Sequence, residues 1–394
     1  MSFLKLFQPT KVGRMTLQHR LVLAPLTRNR IDKEGVPILP IVADYYAQRA
    51  STSGTFLITE GTMIAREASG ADNFPGIWSD EQIASWKKIT ESVHARGSYI
   101  YLQLGAFGRS AMPDVLSSKG IEYVAPSAVP LSYQPTPPRA LTTEEVKEYV
   151  QLFAKAASNA VHLAGFDGVE IHGANGYFVD QFVQDISNHR TDEYGGSVEN
   201  RARFALEVLE AVAKEVGADR TAIRLSPWNT FQDMRMADPK PTFAHLVLQI
   251  KERLPDLAYL HVTEPRVASE QREAEDVPEE EENDFLRKIW APRPFISAGG
   301  YTRDLAIEAA ERGDIVAVGR HFIANPDLPV RWKEDLPLNR YDRSTFYVPG
   351  DASGKGYLDY PFVDGTTSIP PAVTEKYLVH PIDNNRGIPI ESQA

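Results

Sequence analysis

The run His172-Gly173-Ala174-Asn175-Gly176-Tyr177 places an imidazole, a primary amide and a phenol close together. His172 and Asn175 lie three positions apart on one loop, can point the same way, and can both donate hydrogen bonds. Converged on one carbonyl oxygen, they would stabilise the charge of a developing enolate, as an oxyanion hole does. Tyr177, a weak acid near that oxygen, could then protonate the carbanion carbon. A purely structural reading competes: Asn-Gly makes tight turns, and a half-buried histidine can be satisfied within the fold.

Other polar residues stand just beyond, or within, short apolar runs. Thr27 follows Pro25 and Leu26, and its hydroxyl could bond a ligand or simply form a turn. Gln103 offers a donor and an acceptor, which suits the O2/N3 edge of an isoalloxazine but also an internal network. Arg224 sits inside Ile223-Arg224-Leu225 and needs a partner there. A flavin N1/O2 locus and a buried carboxylate are the two alternatives. Gly299 and Gly300 follow one apolar run, and Gly319 and Arg320 follow the next. Glycines admit backbone N–H groups to a phosphate and arginine can bind it bidentately, so this pair implies a phosphorylated ligand.

The elements that must position these groups recur in order. LVLA (Leu21 to Ala24), TFLIT (Thr55 to Thr59), SYIYLQL (Ser98 to Leu104) and GVEI (Gly168 to Ile171) read as strands. So do AIRL (Ala222 to Leu225), YLHV (Tyr259 to Val262), PFISA (Pro294 to Ala298) and IVAV (Ile315 to Val318). They are continuously apolar, as strands covered on both faces are. Helices are expected over Asp80 to Arg96, Thr142 to Ala164, Val198 to Val216, Thr242 to Arg253 and Arg303 to Arg312. Thr142 with Glu145 forms a capping box, and Ser197 begins another helix. Eight β–α units predict an α/β chain folded as a single-domain (β/α)₈ barrel, a TIM barrel. No GxGxxG opens a helix after the first strand, which disfavours a doubly wound dinucleotide fold. In such a barrel the functional residues sit at the carboxyl ends of the strands, and the loops after strands seven and eight hold phosphates. The barrel is expected over residues 1–361, with a tail of unknown role over 362–394. Glu264 to Asp284 is densely acidic; it reads as a solvated loop, or alternatively as an active-site lid.

The 394 residues carry a net charge of −11, 42% hydrophobic and 24% charged residues, and no cysteine. That composition is globular and argues against nucleic acid or anionic membrane as the main partner. Without cysteine there is no disulfide, thiolate metal site, iron–sulfur cluster or cysteine nucleophile, and no metal is expected. No secretory signal and no apolar run of about 20 residues is found, so a cytoplasmic protein, monomer or homodimer, is the expectation.

Taken together these residues resemble the Old Yellow Enzyme family of flavoproteins, from Leu4 to about Pro361. The most specific stretch is His172 to Phe204, in which Arg190, Asp192, Tyr194, Gly195, Gly196, Ser197, Asn200 and Arg201 match the family pattern. APLTR, RLSPW, TEPRV, SAGGYT and GRHFIANPDL agree with it in the same order. The resemblance implies an FMN-dependent ene-reductase that uses NADPH to reduce the activated C=C bond of an enone or enal in a ping-pong cycle. Thr27 would bond the flavin carbonyl next to N5. Pro25, Leu26 and Gln103 would frame the ring, with Arg224 near N1. Gly299, Gly300, Gly319 and Arg320 would hold the phosphate. His172 and Asn175 would bind the substrate carbonyl or a phenolate, and Tyr177 would donate the proton. Phe231 and Tyr347 would line the substrate pocket.

One departure stands at Gly105, two residues after Gln103, where the family usually carries a bulky side chain; it implies a pocket enlarged on that side. Two rivals remain. One is a pathway-specific reductase or isomerase of specialised metabolism, such as an ergot-alkaloid branch; Tyr177 tilts toward reduction, because isomerising members tend to lack that acid. The other is a non-catalytic flavin-binding protein, which would need none of His172, Asn175 and Tyr177.

Overall fold

The computed structural model describes residues 4–267 and 277–369. Its centre is a closed barrel of eight parallel strands: β1 (Leu21–Leu23), β2 (Phe56–Ile58), β3 (Tyr99–Gly105), β4 (Gly168–Gly173), β5 (Thr221–Leu225), β6 (Tyr259–Thr263), β7 (Phe295–Ala298) and β8 (Ile315–Val318). Neighbours pair in sequence order, β8 pairs with β1, and the circle includes the β2–β3 pairing. All eight expected strands are present within two residues of their expected ends; β3 runs past Gln103 to Gly105.

The inward side chains divide the barrel. Val22, Ile58, Ile296 and Ala317 are apolar and join Phe56, Tyr101 and Tyr259 in one buried cluster. An antiparallel hairpin, Thr10–Val12 with Met15–Leu17, adds Val12, Met15 and Leu17 to that cluster and so plugs the amino-terminal end. On the neighbouring arc, from β3 to β6, sit the buried polar residues Gln103, Glu170, His172 and His261.

The outer helices are α1 (Ile41–Arg49), α2 (Asp80–His94), α3 (Thr143–Ser158), α4 (Val198–Val216), α5 (Lys240–Arg253), α6 (Asp284–Trp290), α7 (Arg303–Arg312), α8 (Arg320–Ala324) and α9 (Leu328–Lys333). Their starts follow from side-chain caps. Thr142 accepts the Glu145 N–H at 3.2 Å while the Glu145 carboxylate accepts the Thr142 N–H at 2.8 Å; losing such a cap costs about 1 kcal/mol. Ser197 accepts the Asn200 N–H at 3.3 Å, and α4 ends at Gly217, whose φ of 99° suits glycine. Between those ends Ala202, Ala205, Leu209, Val212 and Val216 repeat at helical spacing and are buried.

Two expectations need correction. The helix expected to run to Ala164 ends as an α-helix at Ser158 and continues as a π turn, Asn159–Leu163. There the buried Asn159 amide donates to the Ile77 carbonyl at 2.9 Å. The acidic segment is not simply solvated. Glu264 and Glu281 are buried; Glu264 pairs with Arg287, and Glu281 pairs with Arg235 at 2.8 Å. Residues 268–276 of that segment lie outside the described residues. The proposed tail is anchored at its start, where Gln48 donates to the Thr367 carbonyl at 3.0 Å; beyond residue 369 it too lies outside the described residues.

Candidate active site

A cavity of about 780 Å³ opens at the carboxyl ends of the strands. Its wall includes Pro25, Leu26 and Thr27 beyond β1, Gln103 and Gly105 on β3, and His172, Asn175 and Tyr177 on and after β4. Arg224 on β5, with Phe231 and Tyr347, completes the set of expected residues it brings together. Phe231 is 52% exposed and Tyr347 is 61% exposed, so these two rings form the mouth rather than the floor. The four residues expected to hold a phosphate stand outside that wall. Gly299 and Gly300 follow β7 with φ of 134° and 59°, conformations that suit glycine. Gly319 follows β8, and a Cβ there would come 3.1 Å from Leu26, which links this corner to the cavity. The Arg320 guanidinium faces Tyr341, whose hydroxyl lies 3.4 Å away.

The orientation of Asn175 is fixed by a relay that sequence reasoning missed. The Phe231 N–H donates to the Asn229 side-chain oxygen at 2.9 Å. The Asn229 NH₂ donates in turn to the Asn175 side-chain oxygen at 2.8 Å. The backbone at Asn175 is left-handed, with φ of 57°, and its N–H donates to Ser226 Oγ at 2.7 Å. Its side-chain oxygen is therefore spent and its NH₂ is the group left for a ligand. His172 Nδ1 is buried and has no hydrogen-bond partner. Burial, followed by the nearby Arg224, lowers the His172 pKa to about 3, so the ring is neutral. Burial raises the Tyr177 hydroxyl to about 12. The Tyr177 ring packs on Phe107 and His172, with centroids 5.6 and 5.0 Å apart.

The deep end is a network. Gln103 donates its NH₂ to Glu170 at 2.8 Å, and the other Glu170 oxygen takes His261 Nδ1 at 2.8 Å. Both alternatives for Arg224 bear on this geometry: Glu170 is the carboxylate whose charge favours it, yet Arg224 Nε is buried without a hydrogen-bond partner. A buried polar atom left without a partner is costly, and Arg224 Nε and His172 Nδ1 are both such atoms, on two residues that line one cavity. The pyrimidine edge of a flavin presents carbonyl and ring-nitrogen acceptors beside an N–H donor, and the Gln103 oxygen remains to accept. The residues present fit FMN.

The mouth is held by buried cations. Arg28 and Arg30, 1% and 0% exposed, donate to the Phe346 carbonyl at 3.1 and 3.0 Å and so pin the segment carrying Tyr347. By contrast, the stretch from Arg190 to Arg201 builds scaffold. Arg190 pairs with Asp192 at 2.5 Å and donates to the Leu141 carbonyl at 2.6 Å, while Arg201 donates to Thr242 at 2.9 Å.

A (β/α)₈ barrel with this polar arc under its mouth defines a class, the FMN-binding barrel oxidoreductases. The chain belongs to the NADH:flavin oxidoreductase / NADH oxidase family, whose model matches residues 5–339. Among solved structures it is similar to Old Yellow Enzyme from a Pichia species, with a TM-score of 0.82, 36% identity, and coverage of 94% of this chain and 97% of that one. Among sequences it is 53% identical to a chanoclavine-I aldehyde reductase of Penicillium roqueforti, covering 91% of this chain and 96% of the relative. It is also 48% identical to a probable inactive reductase of Epichloe festucae var. lolii, over 92% and 96% of the two chains. No described helix is long and apolar enough to cross a membrane.

Proposed function

We propose that the protein is an ene-reductase: it uses NADPH, through FMN, to reduce the activated C=C bond of an α,β-unsaturated aldehyde or ketone. The observation that carries this is convergence. The free Asn175 NH₂ and the buried, unpartnered His172 face the same cavity as Gln103 and Arg224, with the Tyr177 phenol beside them. FMN, when bound, supplies a hydride that it has received from NADPH. Gln103 and Arg224 would bind its pyrimidine edge, Thr27 would bond a ring carbonyl, Pro25 and Leu26 would frame the ring, and Gly299, Gly300, Gly319 and Arg320 would hold the phosphate.

His172 and Asn175 bind the substrate carbonyl oxygen and stabilise the negative charge that grows there as Cβ gains hydride. Neutral His172 does this by hydrogen bonding rather than by proton transfer. Tyr177, fully protonated at neutral pH, gives its proton to Cα. Because nicotinamide and enal use one site in turn, the kinetics are ping-pong. The relatives named as aldehyde reductases support an enal of specialised metabolism as the natural substrate, and Gly105 supports a bulky one. A non-catalytic flavin carrier would need none of His172, Asn175 and Tyr177.

The test is an anaerobic visible spectrum of the FMN-loaded protein, taken before and after NADPH and then a simple enone. Bleaching by NADPH and recolouring by the enone is expected. A protein that takes up no FMN would overturn the reading; recolouring by oxygen alone would overturn the substrate class.

A further inference from the structure

Glu170 is a carboxylate that the proposed reaction does not use, placed at the centre of the barrel. It is 0% exposed, as is His261. Both of its oxygens are occupied, one by the Gln103 NH₂ and one by His261 Nδ1, each at 2.8 Å. On β5 the strand pairing sets Ala222 beside Glu170, and Arg224 lies two residues further toward the cavity. Burial opposes ionisation of Glu170, but His261, Arg224 and Gln103 together outweigh it and hold the group below the usual carboxylate range. Burial lowers His261 as well, and its Nδ1 lies 2.8 Å from the second Glu170 oxygen. Folding this barrel does not demand a charge here, since the inward residues of β7, β8, β1 and β2 include Ile296, Ala317, Val22 and Ile58. Burying an ion is costly even when it is paired.

We propose that Glu170 sets the reduction potential of the bound flavin, by offsetting the positive charge of Arg224 and by fixing which end of the Gln103 amide faces the cavity. The inference rests on the FMN assignment above. A two-electron reduction adds negative charge at the N1/O2 end of the ring, where Arg224 favours it. Glu170, buried behind Arg224 in a medium of low dielectric constant, takes part of that advantage away. It also holds the Gln103 NH₂ and leaves the amide oxygen beside Gly61 on the cavity wall, 3.5 Å from where a Cβ would stand. Glu170 is thus a positioning residue acting through its two neighbours, and it keeps the flavin a stronger reductant than Arg224 alone would allow.

Glu170→Gln removes the charge and keeps the shape. Its flavin potential, read by spectroelectrochemistry, is expected to move positive by about 30 mV, the equivalent of a tenfold gain in affinity for reduced over oxidised flavin in a two-electron couple. Glu170→Asp keeps the charge and lengthens the contact to Gln103; its potential is expected to stay near that of wild type. An unchanged potential in Glu170→Gln overturns the proposal, and so does an equal shift in both variants. A second measurement needs no variant. In the reduced-minus-oxidised infrared difference spectrum of the wild-type holoprotein, an ionised carboxylate stretch is expected to shift, and its absence overturns the proposal. Wild-type protein that binds no FMN removes the functional reading itself; wild-type protein that binds FMN with a potential indifferent to Glu170 removes only this inference.

Discussion

Asn229→Asp tests the relay behind Asn175 most sharply. The backbone N–H of Phe231 can only donate, so the Asn229 atom that meets it at 2.9 Å must be the oxygen. The Asn229 NH₂ then meets Asn175 at 2.8 Å, and Asn175 must answer with its own oxygen. Replacing Asn229 by aspartate leaves the acceptor for Phe231 in place and puts a second acceptor opposite Asn175. Asn175 is expected to turn its amide over, give its NH₂ to the new carboxylate, and present its oxygen to the cavity. The substrate carbonyl then loses a donor in the state where it carries charge, an interaction of about 1.5–3 kcal/mol. That is a fall of about 10- to 150-fold in the rate of enal reduction. Asn229→Ala frees Asn175 to take either orientation and is expected to cost only a few-fold. Anaerobic stopped-flow of the NADPH-reduced protein mixed with an enal reads the step directly, and spectral titration with a phenol reads ligand affinity at the same place. Equal losses in the two variants would show that Asn229 acts by packing, and the relay would be refuted.

The remaining expectations follow from the same geometry. Tyr177→Phe keeps the ring contacts with Phe107 and His172, so enal reduction should fall by about 10²–10⁴-fold while flavin reduction by NADPH persists; stopped-flow of both half-reactions checks this, and equal losses would remove Tyr177 from the acid role. His172 is held at about 3 and Tyr177 at about 12, so neither changes protonation between about pH 5.5 and about pH 9. The enal-reduction rate should carry no step near pH 6.5, and a step abolished in His172→Gln would contradict that. Gly105→Trp places a side chain against His172 and Met63, whose nearest atoms lie 3.5 and 3.8 Å from the new Cβ; activity on bulky enals should fall more than activity on a small cyclic enone, and equal falls would show that Gly105 does not set pocket size. Burial raises Asp180 to about 7, despite its bonds from Gln184 and the Gly176 N–H. A raised carboxyl stabilises the fold below its unfolded value near 4 and loses that contribution as pH climbs to about 7, by up to about 4 kcal/mol. Asp180→Asn should therefore flatten the dependence of Tm on pH across that window, and an unchanged slope would exclude Asp180 as its source.

The strands were legible because a barrel strand is covered on both faces, by the interior and by the outer helices, and so reads as an unbroken apolar run. The same rule explains what was illegible. α1 buries Gln48 and Arg49 along with Val42, Tyr45 and Tyr46, so polar residues stand where periodicity looks for apolar ones. Arg49 is buried because it donates to the Ile323 carbonyl at 2.5 Å and lies over the Tyr45 ring, contacts that no local pattern encodes. α6 is short and begins at the last acidic residue of the charge run, which hid it. In the site, reading the residues at and past each strand end reached Thr27, Gln103, His172, Asn175 and Arg224. After β5 it stopped at Leu225, short of Asn229 in Ser226-Pro227-Trp228-Asn229. Glu170 and His261 lie inside strands, where each looks like a lone polar interruption. Their significance is in the pairing of β4, β5 and β6, which brings Arg224 beside both His172 and His261.

The division between strand and loop also separates two kinds of change that the fold tolerates differently. The deep groups, Gln103, Glu170, Arg224 and His261, sit on paired strands and bond or face one another, so altering one leaves another buried and unpartnered. The mouth is different. Phe231 and Tyr347 are more than half exposed, and the Tyr347 segment hangs from carbonyl oxygens held by Arg28 and Arg30, with Arg28 also lying over the neighbouring Phe346 ring. Substitutions there change what fits without disturbing the network below. Gly105 stands at the boundary, on the last residue of β3 with open cavity before it. Its backbone is not left-handed, so a side chain could be carried there without strain. The fold thus tolerates a side chain there, and substrate range is expected to change at Gly105 and the mouth before the redox chemistry does.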